Sequence, residues 1–314
     1  MKKFIIIFFL FPYYAFASNL EIINGIYKIF DEEYIEKNII ENLSINTLKS
    51  LKIIDNNISI SNDDKNIGMY YKTKKITHFN KPQNNDYKQW AELTNKIINK
   101  AIETSPVLQK KHLEVVDLLF TNSINDKNNK FYPNIKIKDS LSKHKKTFSS
   151  NIDKNFTLTI VAKNINQITY NSIQTVINNN PKAKKLVLDL RNNNGGDFKS
   201  AVDIINLFID EGVIFTTKDR NKNTKIFQAK SGDIFEYKPI YILVNEQTAS
   251  SAELIAFVMQ NQDRAQIAGT PTYGKNSVQT LFLIQGRGVG ITTEYFYDIN
   301  GNNVKIIPQI QQIP

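Results

Sequence analysis

Short runs of aliphatic and β-branched residues alternate with amphipathic stretches throughout the second half of the chain, and no other feature limits its possible folds so much. Residues 156–162 predict a strand, 168–177 a helix, 186–190 a strand apolar but for Asp189, and 201–209 a second helix. A strand that is apolar on both faces needs cover on both, and intervening helices supply it. The pattern therefore predicts a mixed α/β layer architecture. Further strands are expected at 213–217, 240–244, 266–268, 278–283 and 290–297, with a helix over 251–259 between two of them.

The first half reads differently. Ile22, Ile23, Ile26, Ile29 and Phe30, then Ile39, Ile40, Leu43, Leu48 and Leu51, recur largely at three- and four-residue intervals, which predicts two short helices. Residues 55–57 and 61–65 are rich in turn formers. Trp90, Leu93, Ile97, Ile98 and Ile102, followed by Leu108, Val115 and Leu118, predict helix again over 89–120, broken near Pro106. Residues 122–150 are dense in Asn, Lys, Asp and Ser and are expected to form a linker or exposed flap. The expected division is 1–17 signal peptide, 18–121 mainly helical domain, 122–155 linker or flap, and 156–314 α/β domain.

The signal reading rests on Lys2 and Lys3, an apolar stretch over 4–11 interrupted by Pro12, and the small-x-small triplet Ala15-Phe16-Ala17. An uncleaved anchor is the alternative. No later segment is long and apolar enough to span a bilayer, so the mature chain is expected without a stable membrane span, exported to a periplasmic or extracellular location. Hydrophobic residues at 41% and charged residues at 22% suit a soluble globular chain of 314 residues. With no Cys, a thiol nucleophile and a thiolate zinc site are excluded; three scattered His argue against a histidine cage, and neither metal nor organic cofactor is expected. The net charge of +10 is spread over separated pairs such as Lys74-Lys75, Lys110-Lys111 and Lys184-Lys185. These read as solvated faces, with weak salt-sensitive attraction to anionic surfaces as the alternative; no nucleic-acid partner is expected.

Three islands carry candidate chemistry. In the first, Leu188-Asp189-Leu190-Arg191-Asn192-Asn193-Asn194-Gly195-Gly196-Asp197, a buried strand enters a paired-glycine turn ahead of a helix. Backbone N–H groups exposed there suit an anion or a transient oxyanion; an ordinary turn is the plainer reading. In the second, residues 244–253, Ser250 stands at a strand-to-helix bend, as a candidate nucleophile or, with Glu253 three residues on, as one half of a capping box. In the third, residues 272–279, Lys275 is a candidate base or a surface lysine. Lysine near pKa 10.4 must be desolvated to act at neutral pH; lowering it by about three units corresponds to roughly 4 kcal/mol. Gly286-Arg287-Gly288-Val289-Gly290 lacks the full dinucleotide fingerprint and reads as a bend or bulge.

Together the islands resemble, in order and spacing, those of the C-terminal processing, or tail-specific, serine peptidases. The family's Asp-Leu-Arg-x-Asn-x-Gly-Gly segment is matched by Asp189, Leu190, Arg191, Asn193, Gly195 and Gly196. Thr248, Ala249, Ser250 and Glu253 match its nucleophile segment, and Gly274, Lys275, Val278 and Gln279 its Gly-Lys-x-x-Val-Gln segment. The resemblance implies a ClpP/crotonase-like mixed α/β catalytic core preceded by a helical domain. It implies Ser250 as nucleophile, Lys275 as general base, Gln279 as the residue orienting the lysine, and an oxyanion hole from an N–H of the Gly195-Gly196 turn and that of Ser251. Asn194 stands where proline is common and Asn276 where glycine is, and no PDZ module is evident in the intervening stretch. The expected function is an exported Ser/Lys endopeptidase acting on polypeptides near their C-termini, with a homo-oligomer compatible. The alternatives are a catalytically silent peptide- or lipid-binding protein and a crotonase-like acyl-CoA enzyme.

Overall fold

A computed structural model describes residues 18–126, 128–134, 147–230, 232–303 and 306–310. The expected signal segment, 1–17, and residues 127 and 135–146 of the expected linker or flap lie outside the described residues. The chain enters through α1 (Asn19–Glu33), whose start is fixed by a capping box: Glu21 N–H donates to the Ser18 hydroxyl and Ser18 N–H to the Glu21 carboxylate, at 3.3 and 2.9 Å. Its apolar stripe, Ile22, Ile23, Ile26, Tyr27 and Phe30, is buried against α4 (Tyr87–Thr104), with α2 (Ile40–Lys49) and α3 (Leu51–Ile54) alongside. Pro106 opens α5 (Pro106–Lys110) at a position where its missing N–H costs nothing, and Ser105 caps that turn. α6 (Val115–Ser123) completes the helices of this half.

Between α3 and α4 the chain makes an antiparallel three-stranded sheet, β1 (Ile58–Asn62), β2 (Asn66–Tyr71) and β3 (Lys74–Asn80), in a region for which no strand is expected from sequence. Its alternation is weak because much of it faces water: only Ile58 in β1 and Ile67, Gly68 and Met69 in β2 are buried. Two short strands follow, β4 (Lys130–Tyr132) and β5 (Phe148–Ile152), on either side of the undescribed residues 135–146.

The second half has the expected mixed α/β architecture. β6 (Thr157–Ala162), α7 (Gln167–Asn178), β7 (Lys185–Asp189) and α8 (Phe198–Ile205) run in the order the sequence predicts. β8 (Val213–Asp219), β9 (Thr224–Gln228), β10 (Ile240–Val244), α9 (Ser251–Asn261), β11 (Gln266–Gly269), β12 (Ser277–Ile284) and β13 (Arg287–Tyr297) follow. One sheet has the order β11-β10-β7-β6-β5, with β11, β10, β7 and β6 mutually parallel. The other has the order β12-β13-β8-β9 and is antiparallel, with β4 added beside β13. β12 and β13 are joined through Gln285 and Gly286, both at positive φ (48° and 79°), the geometry of a two-residue hairpin turn. The glycine-rich 286–290 segment is thus a hairpin and its outgoing strand. Val289 and Ile291 of β13 are buried in the helical core, and Arg287 forms a bidentate pair with Asp117 of α6, so this hairpin fastens the two halves together.

Candidate active site

The three islands converge at the C-terminal ends of adjacent parallel strands, where open α/β sheets commonly place their clefts. β7 delivers the first, β10 the second, and the segment after β11 the third. The first two are stitched together by main-chain and side-chain bonds. Ala249 N–H donates to the Asn193 carbonyl at 2.9 Å, the Thr248 hydroxyl to the Leu190 carbonyl at 2.8 Å, and Asn192 and Asn245 exchange two further bonds at 2.9 and 2.8 Å. Asn193 is completely buried, and its amide donates to the Ala162 carbonyl at 2.9 Å, bracing the glycine turn against the end of β6.

Ser250 sits at the bend between β10 and α9 with φ 54° and ψ −124°, a conformation that an L-residue adopts only at a cost of roughly 1–3 kcal/mol. Gly195 packs directly against it: a Cβ at Gly195, whose φ is +93°, would come within 2.7 Å of the Ala249 carbonyl oxygen and 2.9 Å of Ser250 Cβ. Glycine is therefore required both by the backbone conformation and by the approach of the two loops. Gly196 N–H and Ser251 N–H, at the turn and at the first position of α9, have no acceptor among the described residues. Gly195 N–H is already given to the Asn193 side chain at 2.8 Å. The Ser251 hydroxyl donates to the Gly196 carbonyl at 2.9 Å and holds the turn to the helix start.

The residue that joins the second and third islands is Glu253. It is 2% exposed, in a helix whose other positions from Ser251 to Met259 are also buried. Its carboxylate accepts four hydrogen bonds: Ser250 N–H at 2.8 Å, the Thr272 hydroxyl at 2.6 Å, Gly274 N–H at 2.6 Å and Lys275 N–H at 2.9 Å. One side chain thereby fixes the main chain of Ser250 relative to that of Lys275. Sequence reasoning saw only the bond to the helix start; the available signal was a carboxylate inside an otherwise apolar helical run. Tyr273 N–H adds a bond to the Thr248 carbonyl at 3.0 Å. Lys275 and Glu253 line a cavity of about 180 Å³ together with Thr272, Gly274, Asn276 and Ile306.

Gln279 lies on β12, one step past a bulge between Val278 and Gln279, and its amide donates to the Asn128 carbonyl ahead of β4. Asp189, at the end of β7, is 5% exposed and receives both the Arg191 guanidinium, at 2.9 and 2.7 Å, and the Arg191 N–H, at 3.0 Å. Burial pushes its carboxyl up, but the hydrogen bonds from Arg191 and the Lys163 charge outweigh that and hold it below the ordinary 3.8.

The sequence profile of peptidase family S41 matches residues 157–312, the stretch that contains all three islands. This region belongs to peptidase family S41. A carboxy-terminal-processing protease of Bartonella bacilliformis is 38% identical over 126 residues, which is 40% of this chain and 29% of that protein. Carboxyl-terminal-processing peptidase 2 of Arabidopsis thaliana chloroplasts is 36% identical over 137 residues, 43% of this chain and 26% of that one. The chain thus matches less than a third of the length of these relatives. The structure of a lipoprotein from Streptococcus agalactiae shares the fold over 96% of this chain and 95% of its own, with a TM-score of 0.56 at 17% identity. That likeness extends the shared architecture to the helical half. No helix among the described residues is long and apolar enough to cross a membrane.

Proposed function

We propose that the protein is an exported serine endopeptidase that hydrolyses polypeptides near their C-termini through a Ser250–Lys275 dyad. The neutral Lys275 amine takes the Ser250 proton as Oγ bonds to the scissile carbonyl carbon. The carbonyl oxygen becomes an oxyanion facing the Gly196 and Ser251 N–H groups, with the Gly195-Gly196 turn as its wall. The Lys275 ammonium then protonates the leaving amine as the C–N bond breaks; the neutral Lys275 amine next takes a proton from water as its oxygen bonds to the acyl carbon, and returns it to Ser250 Oγ as the acyl–oxygen bond breaks. Gln279 has the role of orienting the lysine, which requires its amide to leave the Asn128 carbonyl. The observation that carries this reading is the Glu253 carboxylate, which accepts from the main chains of both Ser250 and Lys275.

Cleavage of an unfolded protein by the purified chain tests it. Turnover is expected in the parent and lost in both Ser250→Ala and Lys275→Ala; turnover retained in both rejects the dyad. The competing reading, a silent peptide- or lipid-binding protein, draws support from Gly195 N–H and the Gln279 amide both being occupied within the protein. It predicts ligand binding without turnover in the parent.

A further inference from the structure

Lysines that stand far apart in the sequence are gathered by the fold at one end of the helical half. The Ser105 hydroxyl donates to the Asp55 carboxylate at 2.6 Å, joining the end of α3 to the start of α5. Asn57 N–H also donates to Asp55, at 3.0 Å, and Lys72 N–H donates to the Asn57 carbonyl at 2.9 Å, which brings the β2–β3 turn to the same place. Beyond α5 the chain stays compact, with Lys111 N–H bonded to the Leu108 carbonyl at 3.0 Å and Glu114 N–H to the Lys111 carbonyl at 2.8 Å. Lys49, Lys52, Lys72, Lys110 and Lys111 are all exposed around this junction, and none has an ion-pair partner among the described residues. The neighbouring acids do little to offset them: Asp55 is buried, Glu103 is paired with Lys100, and Glu114 alone is exposed and unpaired.

Among these lysines stand large aliphatic side chains in water. Ile53 on α3 is 68% exposed, Leu113 just past α5 69%, and Val107 on α5 40%. Ile53 and Val107 each lie two residues from the Asp55–Ser105 hydrogen bond. A soluble polyanion would use the lysines and gain nothing from the aliphatic groups. A bilayer of anionic lipid uses both, taking the ammonium groups at the headgroup level and the aliphatic side chains at the acyl boundary.

We propose that this face, formed by the α3 and α5 ends and the β2–β3 turn, docks the protein on an anionic lipid surface. The contact is peripheral and reversible, and it is independent of the chemistry proposed at Ser250.

The chain has no cysteine, so single-cysteine labelling of the full protein reads the contact directly. An environment-sensitive fluorophore at Ile53→Cys or Leu113→Cys is expected to shift to the blue with vesicles containing phosphatidylglycerol. It should not shift with pure phosphatidylcholine, and the response should weaken from 0.1 to 0.5 M salt. The same label at Ile299→Cys, 51% exposed on the α/β half, is expected to stay unchanged. Adding Lys110→Glu with Lys111→Glu to Leu113→Cys should lower the apparent vesicle affinity by at least about 25-fold, from about fivefold per lysine. All these positions are exposed, and a circular dichroism melt checks that each variant folds. No blue shift at either position, an equal shift at Ile299→Cys, or an equal shift with neutral vesicles overturns the proposal. So does binding to heparin with no response to anionic vesicles, which would identify a polyanion site instead.

Discussion

Two buried polar clusters, one in each half of the molecule, use hydrogen bonds of similar length for different ends. In the helical half the Thr94 hydroxyl meets the Tyr27 hydroxyl at 3.1 Å and the Ser44 hydroxyl at 2.7 Å, tying α1, α2 and α4 together. Every member is a neutral hydroxyl, and Thr47 beside them carries the set on to Ser123 at 3.1 Å. At the end of the parallel sheet, the buried Glu253 side chain accepts from three loop N–H groups and a hydroxyl. A neutral hydroxyl cluster between helices tightens a core; a buried carboxyl group bonded to loop main chain fixes where two separate segments stand. Loss of the first should therefore be felt in stability, and loss of the second in geometry and turnover.

The largest expected effect tests the second half of that contrast. Glu253→Gln keeps the shape but replaces one acceptor oxygen with an NH₂ group, which must face either Ser250 and Lys275 N–H or Thr272 and Gly274. Displacing the lysine segment relative to Ser250 by even 1 Å is expected to lower kcat by about 10²-fold. KM should change little, because Glu253 is 2% exposed and its oxygens are taken up by the four bonds within the protein. Steady-state kinetics with an unfolded-protein substrate measures the split; a loss confined to KM, or none, would remove Glu253 from the positioning role.

Thr94→Val is the matched change in the helical half. It removes the hub hydroxyl at nearly constant volume and leaves the Tyr27 and Ser44 hydroxyls short of a partner, a cost of about 1–3 kcal/mol. Thermal melting should show the loss, whereas kcat well below the melting temperature should not move. A fall in kcat comparable to that of Glu253→Gln would erase the distinction between the two clusters.

The same contrast explains what the sequence disclosed. The α/β alternation was legible because strands such as 186–190 and 240–244 consist almost wholly of large apolar residues, Asp189 being the one charged exception. The three islands were legible only together, through their resemblance to the tail-specific peptidases; taken singly they read as a turn, a helix cap and a surface lysine. β1 to β3 were not, since a half-solvated strand such as Lys74–Asn80 offers too few apolar positions to show a period of two. Asn193 and Thr248 were legible as motif positions but not in what they do. Their worth lies in bonds to the Ala162 and Leu190 carbonyls, contacts across the sheet that no local pattern records. Gln279 shows the converse: the motif fixes its position, but the bulge and the Asn128 carbonyl decide where its amide goes.

The halves should also part company with pH. Burial pushes the Tyr27 hydroxyl up to about 12, against the Thr94, Ser44 and Thr47 hydroxyls, which pull it down. The unfolded chain releases this proton near pH 10 while the folded chain keeps it, so the associated stability is complete below pH 10 and is lost as pH rises toward 12. Two units correspond to about 2–3 kcal/mol. Tyr27→Phe should flatten this alkaline decline in urea unfolding measured at several pH values; an unchanged slope would assign it to other groups.

The smallest effect lies at the acid end and belongs to the α/β half. Asp189 is held below the ordinary 3.8 because the Arg191 bonds outweigh its burial. The unfolded chain binds this proton first as pH falls, so the contribution is fully present above the ordinary carboxylate range and disappears as pH drops through the depressed folded value. Arg191 is half exposed, so solvent screens the ion pair and the change is modest. Asp189→Asn should lower stability at pH 7 and reduce the acid dependence below about pH 4, with the alkaline limb unaltered. Since Asp189 ends the strand that leads into the Gly195-Gly196 turn, the variant should also loosen hydrogen-exchange protection at Asn193 more than at Tyr27; equal loosening at both would show that the two halves unfold as one unit rather than separately.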